Sequence, residues 1–469
     1  MSNLIRRTLL AACLVALGFG GAAPAHAQDA FIGSWAGSLE VGGSELRVVF
    51  HIERADDGSL TASMDSPDQG ATGIPVSSVS VEGDSLTLDV SGINGQYDGA
   101  LTADGSAIEG TWTQGGNSFP LTLTPATESD TAPPPRPQHP EPPYPYATED
   151  VTFLNDDAGI TLAGTLTLPE GDGPHPAVVL ISGSGPQNRD SEVFNHKLFL
   201  VLADHLTRNG IAVLRYDERG VGESGGSYSG ATSEDLARDV AAALRFVKQQ
   251  PGIRPDQTGL LGMSEGGMVA PMVHTRFEDA AFLVLMAGPS VPGADIIVEQ
   301  SALIAEAQGA PTSAVDSIRE VQRRTMDALA AASDSATAAQ RLRAILSEQG
   351  VPEDQIEPQI QQTTAPWFSY FIRHDPAPAL RQVDVPVLAL YGSNDLQVPP
   401  AQNAEPMRAA LESSPSDDAT VRVLDGLNHI FQPADTGLPS RYAQIETTMA
   451  PEALQFVTEW IQAHTAAGK

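Results

Sequence analysis

The chemistry of this chain is concentrated around Gly262-Met263-Ser264-Glu265-Gly266. An apolar run, Thr258-Gly259-Leu260-Leu261, precedes it, and a helix-compatible Gly267-Met268-Val269-Ala270 follows. That order reads as strand, sharp turn and helix start, with a serine at the apex. A hydroxyl is a poor nucleophile at neutral pH. It becomes useful when a turn exposes it to a base close to the positive end of a helix. Glycines at 262 and 266 fit such a turn, because a side chain at either place would collide where strand and helix approach.

A serine of this kind needs a base, and the base needs a carboxylate to fix its tautomer and stabilise the imidazolium. Downstream, in the order serine, acid, histidine, Asp395 lies in Tyr391-Gly392-Ser393-Asn394-Asp395 after an apolar strand, and His429 lies in Gly426-Leu427-Asn428-His429 after the last one. Asp425 is the rival acid, only four residues before His429. His274 falls in the helix after the serine and His374 in a helical insertion, so both read as structural or binding residues. A tetrahedral intermediate also requires amide donors for its oxyanion. The Glu265 amide is one candidate. The other comes from Ser182-Gly183-Ser184-Gly185-Pro186, with Ser184 the first choice and Gly185 the second. No lysine follows these glycines, which argues against a phosphate loop. The stretch Asp217-Glu218-Arg219-Gly220-Val221-Gly222-Glu223-Ser224 is expected to be braced by an Asp217–Arg219 pair.

The elements that must position these groups alternate between strand and helix after residue 147. Eight apolar strand signals lie near 151–154, 160–168, 177–181, 211–215, 259, 281–286, 385–391 and 421–424. Amphipathic stretches fall between them, among them 198–208 and 233–250, the latter capped at Thr232 or Ser233. This predicts an α/β fold: a mostly parallel eight-stranded sheet covered on both faces. From about 290 to 381 the strand signal disappears into helical periodicity, which predicts a cap over the strand ends. At its end Trp367, Phe368, Tyr370 and Phe371 cluster. Adjacent aromatics cannot all face one side of a short helix, so Trp367 or Phe371 is expected to line a substrate pocket while the others pack the cap.

Ahead of that unit, 28–126 shows period-two alternation broken by Asp56-Asp57-Gly58, Glu82-Gly83-Asp84 and Ala103-Asp104-Gly105, the pattern of a small all-β domain. Trp35 and Trp112 stand in similar contexts near its two ends and are expected in its core. The pattern resembles the small calycin-like barrel that precedes some secreted hydrolases. Between the two, 127–146 is proline-rich and is expected to act as a semi-rigid polyproline spacer.

The chain has 469 residues, 41% of them hydrophobic, enough for more than one core. Its first 27 residues run from Arg6-Arg7 through an apolar stretch to Ala25-His26-Ala27. This is the layout of a signal peptide cleaved after Ala27, and it predicts export, periplasmic or extracellular, with no membrane anchor left after cleavage. Cys13 is the single cysteine and leaves with the leader, so neither disulfides nor thiolate chemistry contribute. A formal net charge of −33 disfavours nucleic acid and anionic membranes as partners.

Taken together, Leu180 to Gln187, Asp217 to Ser224, Gly262 to Gly267, Pro366 to Phe371, Gly392 to Pro399 and Gly426 to Phe431 resemble the α/β-hydrolases of the serine-aminopeptidase-like and secreted-esterase branch, that of the Thermotoga esterase D type. The resemblance covers about two thirds of the chain. It implies hydrolysis of esters of modest size without metal or cofactor. The branch usually has histidine before the serine where this chain has Met263, which bears on substrate preference and not on the triad. The expected function is therefore that of a secreted carboxylesterase in which Ser264 attacks, His429 moves the proton, Asp395 orients His429, and the Ser184 and Glu265 amides hold the oxyanion. A serine peptidase or aminopeptidase is the nearest alternative, but the roughly hundred residues before the linker cannot build a substrate-excluding propeller. A non-catalytic binding protein is the other alternative, and it has no need of serine, aspartate and histidine at three strand ends.

Overall fold

The computed structural model describes residues 28–41, 44–115 and 117–466. The leader expected over 1–27, with Cys13, lies outside the described residues. The chain divides into two compact units, one running to Pro67 and over Ala71–Ala132, the other comprising Asp68–Gly70 and Pro133–Lys469.

The first unit is a single antiparallel sheet of nine strands between Gly33 and Pro125. Consecutive strands pair throughout, except Ala71–Pro75 and Ser78–Glu82, which form the two edges. The first strand, Gly33–Val41, also pairs with the last, Asn117–Pro125. The sheet curls around one core without a ladder joining its edges. Trp35, Phe50, Tyr97 and Trp112 are buried there among leucine, valine and isoleucine side chains from alternate positions. Both tryptophans are thus core residues. Their ring N–H groups are satisfied locally, Trp35 donating to the Phe31 carbonyl at 2.9 Å and Trp112 to Gln114 Oε1 at 3.2 Å.

The second unit carries an eight-stranded sheet. Its strands are numbered here β1 (Ala147–Asn155), β2 (Ile160–Leu168), β3 (His175–Ile181), β4 (Ala212–Tyr216), β5 (Ile253–Met263), β6 (Leu283–Met286), β7 (Val387–Gly392) and β8 (Ala419–Leu424). Their spatial order is β1-β2-β4-β3-β5-β6-β7-β8. β1 and β2 are antiparallel and the remaining pairs parallel, apart from the antiparallel β2–β4 contact. β3 to β7 read as near-continuous apolar runs because both faces are covered. Ala177, Val179 and Ile181 of β3 share one core with buried residues of the helices Ser233–Lys248, Glu265–Arg276 and Pro400–Glu412, and Val178 and Leu180 share the core on the other face with those of Leu198–Arg208 and Pro451–Thr465. The helix Ser233–Lys248 starts at Thr232, whose side chain and that of Asp235 cap each other's backbone amides.

Between β6 and β7 lies the insertion, with helices Gly293–Ala307, Thr312–Ala330, Ser335–Glu348, Glu353–Thr363 and Pro366–Phe371. It has a small core of its own, including Met326, Leu342, Ile356 and Phe371. The proline-rich stretch does not stand free. Arg136 donates to the carbonyls of Ala443 at 2.7 Å and Phe194 at 3.0 Å, and Gln138 to that of Met449 at 2.8 Å. Polar side chains among the prolines thus dock the segment on the second unit, a role that proline content alone conceals. Among the described residues no helix is long and apolar enough to cross a membrane.

Candidate active site

Ser264 stands between β5 and the helix Glu265–Arg276 with φ 55° and ψ −121°, a region that non-glycine residues rarely occupy. Such a conformation costs on the order of 1–3 kcal/mol and persists only where the surroundings enforce it. Here they do. A Cβ on Gly262 would lie 2.0 Å from the Gly266 carbonyl oxygen, and one on Gly266 2.2 Å from that of Ile181. The two glycines let helix and strand come close enough to force the turn between them.

Two further loops converge on this serine. His429 Nε2 is 3.1 Å from Ser264 Oγ, and His429 Nδ1 is 2.8 Å from Asp395 Oδ2. Asp395 is 2% exposed, and its other oxygen accepts from the Gln397 and Val398 amides at 2.8 and 2.9 Å. With one oxygen held by the backbone, the carboxylate can aim the other at the imidazole only one way. The His429 loop is braced by its neighbour: Asn428 Oδ1 accepts from the amides of Ile430 and Gln432 at 3.1 and 2.9 Å, and Asn428 Nδ2 donates to Gln432 Oε1 at 2.9 Å. The acid and histidine loops touch directly, because Gly392 has no side chain where a Cβ would meet the Leu427 carbonyl oxygen at 2.3 Å. Asp425 is exposed and hydrogen-bonded to Ser393, not to His429. His274 bonds Asp384 and the Ala280 amide, and His374 stacks on Tyr370, so neither joins the group.

The loop after β3 passes close to the serine, since a Cβ on Gly183 would sit 3.2 Å from that of Ser264. The Gly185 amide is engaged by the Tyr228 hydroxyl at 3.1 Å, which leaves Ser184 the better placed donor of the two. Glu265 is the first residue of its helix, where amides lack intrahelical acceptors and the dipole favours negative charge. Amides of Ser184 and Glu265 can therefore serve an oxyanion beside Ser264.

The Asp217–Arg219 pair expected from their closeness in sequence does not form. Asp217 is instead gripped by Arg189, with Nη2 at 2.7 Å, and Arg219 turns to Asp239, with Nε at 2.6 Å. Each arginine thereby joins segments distant in sequence, which a local pair would not do. Between them Glu218 is buried under the loop after β3. It accepts from Ser182 Oγ at 2.6 Å and from the Gln187 amide at 2.9 Å, holding both ends of that loop. Burial pushes its carboxyl up to about 8. Nothing in the sequence singles out Glu218 from the other acids of its motif.

The cleft over Ser264 holds about 310 Å³. Val193, Leu198, Ile296, Ile297, Trp367 and Phe371 give it apolar walls, and Met263 also reaches it. Trp367 and Phe371 stack on one another with centroids 5.5 Å apart, and Phe371 belongs to the cap core as well. The packing and wall roles are thus shared by the same rings. Among the described residues that line the cleft, Glu265 is the one carboxylate, and none is lysine or arginine.

Comparison with known proteins places this geometry in context. The family described as serine aminopeptidase, S33, matches residues 194–432. Over 270 residues the chain is 26% identical to the esterase EstD of Thermotoga maritima, covering 58% of each protein. Over 171 residues it is 33% identical to the thiohydrolase aneE of Aspergillus aculeatus, covering 33% of this chain and 49% of that one. The chain thus spans between about half and three fifths of the length of these curated relatives. Among solved structures, the Pyrococcus furiosus esterase PF2001 aligns at 15% identity and a TM-score of 0.43, over 68% of this chain and 92% of that one.

Proposed function

The chain belongs to the serine aminopeptidase S33 family of hydrolases, and from that membership we propose that it cleaves carboxylic esters through a serine nucleophile. The observation that carries this reading is the continuous hydrogen-bonded line from Ser264 through His429 to Asp395 at the floor of an apolar cleft. In the proposed reaction Ser264 Oγ bonds to the acyl carbon while His429 Nε2 takes its proton. Asp395 holds the Nδ1 proton and stabilises the imidazolium. The Ser184 and Glu265 amides bear the oxyanion. As the tetrahedral intermediate collapses, the alcohol leaves with the proton from His429, and the acyl group remains on Ser264. Water, deprotonated by His429, then releases the acid and restores the serine.

Hydrolysis from the amino end of a peptide is the second reading, favoured by the family's description. Recognition of a substrate ammonium needs an uncommitted negative group. Glu265 is the one carboxylate lining the cleft, and it is already occupied by Ser233 and Trp367 donors. This supports esters over amino-terminal peptides. The names of the two curated relatives, an esterase and a thiohydrolase, support acyl transfer from oxygen or sulfur alike. The leader pattern of residues 1–27 supports an exported enzyme, for which the mass of the mature amino terminus is the check.

The test is a panel of p-nitrophenyl esters from acetyl to dodecanoyl, matching thioesters, and aminoacyl p-nitroanilides. Ester or thioester turnover should dominate. Faster release from the anilides would favour the peptidase reading.

A further inference from the structure

The reaction above uses only the backbone of Glu265, yet its side chain is 2% exposed and lies beside the nucleophile. Glu265 Oε1 accepts from Ser233 Oγ at 2.6 Å, and both carboxylate oxygens lie 2.9 Å from Trp367 Nε1. The Ser184 side chain is close enough to favour the charged form of this carboxyl. The two donors come from separate segments, the first turn of the helix Ser233–Lys248 and the cap helix Pro366–Phe371. Trp367 in turn stacks on Phe371, and both rings face the cleft.

We propose that the Glu265 carboxylate is a positioning and specificity-determining group that fixes the cap's aromatic wall against the helix start beside Ser264, and so sets which acyl chains fit. The physical ground is the cost of burying a carboxylate, which is met only while its donors stay in place. Withdrawing Trp367 would leave the carboxylate short of a partner, so the wall is held against the helix start by a hydrogen bond of the indole N–H. Burial raises the carboxyl of Glu265, the direction expected of a group walled off from water.

The proposal rests on the esterase reading, and its test separates the two. Glu265→Gln keeps shape and backbone amide but replaces one acceptor oxygen with a donor that faces donors. Trp367→Phe removes the indole N–H and keeps a ring. The ratio of kcat/KM for butanoyl and octanoyl esters is measured for both variants and for the double variant, alongside the unfolding midpoint. Each single variant should shift that ratio in the same direction, by about tenfold, as expected for directly coupled contacts, and the double variant should shift it no further. Unchanged ratios at a lowered midpoint would reduce Glu265 to a structural residue and overturn the proposal, as would shifts that simply add. Should Glu265→Gln fail to fold, Ser233→Ala takes its place, because it withdraws a donor from the carboxylate without touching the cleft; a shifted ratio upholds the proposal and an unchanged one overturns it. A wild-type protein that turns over no ester removes the esterase reading and this proposal with it. An active wild type with unaltered variants removes only the proposal.

Discussion

The core of the all-β unit and the strand-end rim of the α/β unit bury different kinds of side chain. In the first, Phe50, Tyr97, Trp112 and their aliphatic neighbours are enclosed, and among the described residues of that unit Ser66 is the one buried polar side chain. The Tyr97 hydroxyl donates to nearby carbonyls of Ile108 and Leu121 at 2.9 and 3.2 Å. In the second, Asp217, Glu218, Arg219, Asp239, Glu265, Asp395 and His429 are all buried around the carboxyl ends of the strands. Buried charge lowers stability unless it is paired and hydrogen-bonded. Seven such groups near one edge accord with the chemistry proposed there, whereas packing alone accounts for the β core.

The sharpest way to break this contrast is at Asp395. If its burial serves His429, Asp395→Asn should lower ester turnover by about 10³-fold or more through loss of tautomer control, while Asp425→Asn leaves it near wild type. Steady-state rates on one activated ester decide this. Damage from Asp425→Asn with Asp395→Asn harmless would reverse the assignment. In the β unit, Trp112→Ala should cost about 3–5 kcal/mol of that unit's stability, the range for removing a buried aromatic. Denaturant unfolding followed by tryptophan fluorescence measures it, and a loss near zero would mean that this core tolerates a cavity.

A smaller effect is expected at Glu218. Its carboxyl is raised from 4.5 to about 8 in the folded protein, so the folded state favours the protonated form. That contribution is complete below pH 4.5 and is lost as pH rises through about 8. Relative to Glu218→Gln, the wild type should therefore lose stability across this window. Unfolding midpoints at several pH values test it, and parallel curves for the two proteins would contradict it.

The sequence was most legible where structure is enforced locally. Gly262 and Gly266 announce a tight strand-to-helix turn because only glycine fits between the carbonyls that meet there. The eight strands, long apolar runs set between amphipathic helices, could be read from periodicity. Asp395 and His429 could be paired with Ser264 because each directly follows such a run. Partners chosen across long separations were not legible. Arg189 and Asp239 displaced the local Asp217–Arg219 pair. The links from Glu265 to Ser233 and Trp367 span 32 and 102 residues, and only the fold brings them together. The docking of Arg136 and Gln138 was hidden for the same reason, since their acceptors Ala443 and Met449 lie more than 300 residues away.

The central claim is that Ser264 is the attacking group. Treatment with a fluorophosphonate, followed by intact-mass and peptide analysis, tests it most directly when wild type and Ser264→Ala are compared. One covalent adduct on Ser264 is expected in the wild type. The variant should show no adduct, an unfolding midpoint near wild type, and an ester rate reduced by several orders of magnitude. An adduct on another residue, or a folded Ser264→Ala protein retaining more than about a tenth of the wild-type rate, would contradict the account.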